Sequence, residues 1–139
     1  MKKLTLTNYI DLDFALFGIC SQEDDFKICW CLNKALALDF ERVSDIELLQ
    51  AKNKNQINFA CFFYHDAETE LDYYLISNRN GNNLLVPEQK QTDYLLRIVG
   101  EPELYDENSV LKSIKTLPQV MTAFLLKPES LKSIENIIT

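Results

Sequence analysis

The chain has 139 residues, 47% hydrophobic and 25% charged, which suits one globular domain spanning residues 1–139 and excludes a disordered or low-complexity polymer. Acids outnumber bases by 21 to 14, and Glu101, Glu103, Asp106 and Glu107 stand together without a base, so long-range repulsion argues against nucleic acid and anionic membrane as partners. No uncharged apolar run approaches the roughly 18 residues that a membrane-spanning helix needs.

The N-terminal MKK imitates the start of an export signal, but LTLTNYIDLD then places polar residues and two aspartates where the apolar segment belongs. FGIC imitates a lipoprotein cleavage site, with Ile19 where a small residue is required. We therefore expect a cytoplasmic protein. In that setting Cys20, Cys29, Cys31 and Cys61 are expected to stay reduced and pack as small apolar groups. The CWC spacing does not match a zinc knuckle, and no metal and no cofactor are expected.

DFALFGICS suits a buried strand. Ser21, with Asp24 three residues on, resembles a helix N-cap with an acid in the first turn. FKICWCLNKALAL alternates in part like a strand, but its length, Leu/Ala tail and preceding acids favour a helix. Lys27 and Lys34 then mark a narrow wet stripe, with nearly everything else buried. Asn33 falls on the apolar side, where its amide must be hydrogen-bonded, and is expected to tie the helix to a neighbouring strand.

LDFERVSDIELL reads as extended with a bend near Ser44, and AKNKNQ as a polar turn. INFACFFYH and LDYYLIS form an antiparallel hairpin across DAET. Asn80-Gly81 is the strongest turn signal, since both residues tolerate positive φ, and NLLV should pair back across it. DYLLRIVG continues the meander.

SVLKSIKTL places Val110, Leu111, Ile114 and Leu117 on one helical face, VMTAFLL reads as a strand, and ESLKSIENII repeats the helical spacing through Leu131, Ile134 and Ile138. LKSI occurs twice, which two amphipathic helices explain better than a structural repeat. The class is α+β: an antiparallel sheet of about five to seven strands, with a central meander, covered on one face by two or three helices.

His65, the one histidine, stands at a strand end with no Ser, Cys or acid in recognisable catalytic order, and Asp66 beside it points to the opposite face. The aromatic runs FACFFY and DYY suit core and cross-strand packing better than base stacking. An exposed Phe/Tyr patch would instead indicate a protein partner or a homodimer.

VPEQKQTDY is the densest cluster of special residues. Pro87 ends the preceding strand and holds Val86 extended, residues 88–92 form a loop or one helical turn, Asp93 caps backbone N–H groups, and Tyr94 packs inward with its hydroxyl satisfied. The competing reading makes Glu88 and Asp93, with Tyr94, a carboxylate pair in a pocket at the sheet edge, which would suit a small-ligand-binding domain or an enzyme. VPEQKQTDYLL resembles the signature of the IPExxxVDY family of small uncharacterised bacterial proteins: Pro87, Glu88, Asp93 and Tyr94 match its distinctive letters, while Val86 and Thr92 replace isoleucine and valine. CWCLNKALAL, FER, YYLISN and LKSIENII extend the resemblance along the chain. It implies no activity, substrate or catalytic residue. The expected role is a protein-interaction or adaptor module rather than a catalyst, with Pro87, Glu88, Asp93 and Tyr94 as structural signature or contact residues.

Overall fold

The computed structural model describes residues 12–50 and 54–138; the readings of MKK, of the LTLTNYID stretch and of residues 51–53 lie outside them. The elements in order are β1 (Ala15–Cys20), α1 (Asp25–Leu36), β2 (Glu41–Leu49), β3 (Gln56–Asp66), β4 (Leu71–Ser77), β5 (Arg79–Asn80), β6 (Asn83–Leu84), β7 (Tyr94–Val99), α2 (Glu107–Lys115) and β8 (Thr122–Leu126). The fold is α+β. Six strands form one antiparallel sheet in the order β2-β3-β4-β7-β1-β8, and β5 and β6 form a separate small hairpin.

Local chemistry sets most of these boundaries. The N-cap of α1 is Asp24 rather than Ser21: its carboxylate accepts the Lys27 N–H at 2.9 Å, while the Ser21 hydroxyl accepts Glu23 N–H and donates to the Gln119 carbonyl. The helix ends where Ala37 turns left-handed, at φ 56°, and the Leu38 N–H returns to the Asn33 carbonyl. Asn33 also uses its side chain as expected, its Oδ1 accepting the Phe40 N–H at 2.8 Å just before β2. β2 breaks register between Val43 and Ile46, at the bend expected near Ser44.

β3 and β4 pair as the expected hairpin, and β7 extends the meander beside β4. Within NLLV, Asn83 and Leu84 pair with the two residues of β5, outside the main sheet. In that hairpin Gly81, not Asn80, supplies the positive φ, at +62°, as the first of two loop residues.

The strand period distributes the apolar side chains over two layers. Phe17 and Ile19 of β1, Phe62 of β3, Leu75 of β4, and Leu96 and Ile98 of β7 pack with Ile28 and Leu32 of α1 and Ile114 of α2. The alternate positions, Leu16, Phe59, Cys61, Ile76 and Leu95, pack with Leu85, Val86, Leu131, Ile134 and Ile137. Both helices thus contribute to one layer, and the opposite face is covered as well.

That second cover corrects the reading of ESLKSIENII as a helix. The segment forms two 3-10 turns, Pro128–Ser130 and Ile134–Ile137, which bury Leu131, Ile134 and Ile137. So short a helix has little stability of its own, and the sheet face selects the conformation that delivers its apolar side chains.

Candidate functional site

The segment after β4 is held by Asn78, which is completely buried. Its Oδ1 accepts the Val86 N–H at 2.7 Å, and its Nδ2 donates to the Gln89 and Thr92 carbonyls at 3.1 and 2.9 Å. Its backbone N–H reaches the Asp93 carbonyl and its own carbonyl accepts the Leu85 N–H. A buried amide with each polar group engaged fixes the loop's path, because any other path would strand those groups away from water. Sequence reasoning missed Asn78, the first of four asparagines in NRNGNN, which read together as a turn; the one signal was its place directly after the apolar strand YYLIS.

The signature residues build on this frame. Pro87 follows Val86 in a turn closed by the Gln89 N–H on the Val86 carbonyl, the position where proline's fixed φ costs nothing. A second turn runs from Gln89 to Thr92, so residues 88–92 form turns rather than a helix. Glu88 reaches the C-terminal turns, accepting the Ser133 N–H at 2.7 Å and its hydroxyl at 2.9 Å. Burial opposes ionisation of Glu88, but these hydrogen bonds outweigh it and leave the carboxyl below its ordinary value.

Asp93 and Tyr94 face the connection between β1 and α1. The Asp93 carboxylate accepts the Ser21 N–H at 2.9 Å and the Arg79 Nε–H at 3.0 Å, while its backbone N–H donates to the Ile19 carbonyl. The buried Tyr94 ring sends its hydroxyl to the Glu23 carbonyl, next to the α1 N-cap. Glu88 and Asp93 therefore share no hydrogen-bond partner. Asp93 and Tyr94 line an open crevice of about 500 Å³ with Ser21, Arg79 and Met121, and Glu88 is not part of its lining.

Asp93 and Tyr94 in this way fix the entry into α1, whose outer face departs from the sequence reading. Phe26 is 63% exposed and Trp30 is 52% exposed, one turn apart on the stripe that carries Lys27 and Lys34. The two lysine ammonium groups lie 5.3 and 4.5 Å from the Trp30 ring centroid, and Phe26 packs edge-on against Phe62. Cys29 and Cys31 flank Trp30 and are both buried. The signal was in the spacing: Trp30 lies three residues after Lys27 and four before Lys34, so it belongs to the wet stripe they define.

All four cysteines are free and buried, and burial pushes the Cys29 and Cys61 thiols up to about 11, far from the reactive range. His65 pairs across the hairpin with Asp72, at 2.6 Å, and Asp66 instead accepts the Glu68 N–H in the turn. Among the described residues no group of three His, Cys, Asp or Glu is arranged to hold a metal ion, and no helix is long and apolar enough to cross a membrane. No family model, curated protein or solved structure matches the chain.

Proposed function

We propose that this chain is a cytoplasmic protein-interaction module of the bacterial family whose IPExxxVDY signature its VPEQKQTDY segment resembles, and that it works through the outer face of α1 rather than through a reaction. The observation that carries this reading is the exposure of Phe26 and Trp30 one turn apart, with Lys27 and Lys34 on either side of Trp30. Aromatic residues are enriched at protein interfaces, and tryptophan is among the few types that concentrate their binding energy. The role of Pro87, Glu88, Asp93 and Tyr94 in this reading is to position the binding face rather than touch the partner. Their polar atoms serve the loop, the C-terminal turns and the start of α1.

The test compares tagged wild type with the Phe26→Ala/Trp30→Ala double variant in cross-linking capture from the cells that make the protein. Both changes lie on an exposed face, so the fold should be retained by circular dichroism. A protein captured by wild type and lost by the variant supports the reading. Capture of the same proteins by both, or of none by wild type, removes it.

A further inference from the structure

The two edges of the main sheet are built differently. The β2 edge carries Glu41, Arg42, Asp45 and Glu47 and breaks its register between Val43 and Ile46. Charges and a bulge are the devices that stop an edge strand from pairing with another chain. β8 forms the opposite edge, and its sequence TAFLL holds no charge, no proline and no register break against β1. Among the described residues, no strand pairs with its outer side. α2 packs with β8 on the face that holds Ile114 and Ala123, and apolar surface remains exposed beside the edge: Met121 is 66% exposed and Leu125 39%.

The chemistry of this edge selects the occupant. In an antiparallel pairing across a twofold axis, residue i meets j and j meets i, so a strand must be compatible with its own reverse. Centred on Phe124, β8 sets Thr122 opposite Leu126, Ala123 opposite Leu125, and Phe124 opposite its counterpart. No charge meets its like. Just beyond the strand, Lys127 falls opposite Met121, whose exposed side chain suits the apolar lysine stem. The β2 edge fails the same test: centred on Ser44, it would set Glu41 against Glu47.

We propose that β8 pairs antiparallel with β8 of a second copy of this chain, joining the two sheets edge to edge. This surface is separate from the α1 face, so either reading can fail without the other. Five paired residues with two flanking apolar side chains make a contact smaller than a standard interface, so a weak, concentration-dependent association is expected.

The test is the mass of the full chain by light scattering, from low to high micromolar concentration. The expected result is a rise from 16.1 kDa toward twice that value. Leu125→Lys and Thr122→Lys each set a lysine inside the paired strand, the device that blocks edge pairing, whereas Lys127 lies beyond its end; each should hold the chain at the monomer mass, with circular dichroism unchanged. If Leu125→Lys disturbs the fold, Thr122→Lys carries the test. A wild type that stays monomeric at the highest concentration overturns the proposal, as does a dimer that survives a folded lysine variant. Loss of the dimer in Phe26→Ala/Trp30→Ala, with β8 intact, would place the contact on α1 and overturn it too.

Discussion

The amide oxygen of Asn78 accepts the backbone N–H of Val86 at 2.7 Å, so the residue that closes β4 grips the chain immediately before Pro87. This contact and the two carbonyls that the same side chain holds at Gln89 and Thr92 fix the backbone path of the loop from Val86 to Thr92.

Asn78→Ala would strand the buried Val86 N–H and Thr92 carbonyl, while the Gln89 carbonyl keeps the Thr92 N–H. We expect a loss of about 3 kcal/mol or more, read as a shift of the urea midpoint at unchanged slope. Asn78→Asp should fail to rescue, because a carboxylate cannot donate to the Gln89 and Thr92 carbonyls. An alanine variant as stable as the parent would show that the loop has another way to satisfy those groups.

The two signature carboxylates should differ under substitution. Glu88→Gln weakens one exposed contact with Ser133 and is expected to cost about 1 kcal/mol. Asp93→Asn weakens both the half-buried bond from Ser21 N–H and the pair with Arg79, and about 2 kcal/mol is expected. Because the folded-state pKa of Glu88 is depressed, its contribution is present above the unfolded carboxyl value and lost as pH falls through the folded one. Urea midpoints of wild type and Glu88→Gln should therefore converge in acid, and a constant gap would contradict this origin.

His65 titrates in the opposite sense. The hydrogen bond that the His65 ring donates to the Asp72 carboxylate raises its pKa, with Asp72, Glu70 and Asp66 adding charge attraction that outweighs desolvation. The folded value lies above the ordinary 6.5, so the stabilisation is complete below the unfolded value and disappears as pH rises through the folded one. Proton NMR of the His65 ring should show an elevated midpoint in wild type and a lower one in Asp72→Asn. Identical midpoints would mean that the cross-strand pair does not persist in solution.

Gly18 pairs with Phe124 between β1 and β8, and a Cβ at Gly18 would lie 2.4 Å from the Phe124 ring. Gly18→Ala must displace that ring, and we expect a loss of about 1–3 kcal/mol by overpacking. Gly18→Ala/Phe124→Leu should recover part of it, as measured by thermal unfolding. No recovery would place the strain in the backbone rather than in the ring contact.

The sequence by itself determined the elements whose signals are local. The alternation of INFACFFYH and LDYYLIS specified a hairpin, the length and Leu/Ala tail of FKICWCLNKALAL specified α1, and Pro87 specified a turn. Short-range backbone preference and side-chain period decide such features, and both lie within a few consecutive residues. Tertiary structure decided what depends on residues far apart in the chain. ESLKSIENII carries a helical period, yet the sheet face and the hydrogen bonds from Ser133 to Glu88 hold it in 3-10 turns. Phe26 and Trp30 read as core by composition, but the buried faces of α1 were already filled by Ile28, Cys29, Cys31 and Leu32, which left the aromatics outside. Glu88 and Asp93 lie five residues apart, and only the packing of the C-terminal turns and the β1–α1 connection sends them to different partners. Burial and hydrogen bonding between distant segments settled those outcomes, because they depend on which surfaces meet and not on the order of neighbouring residues.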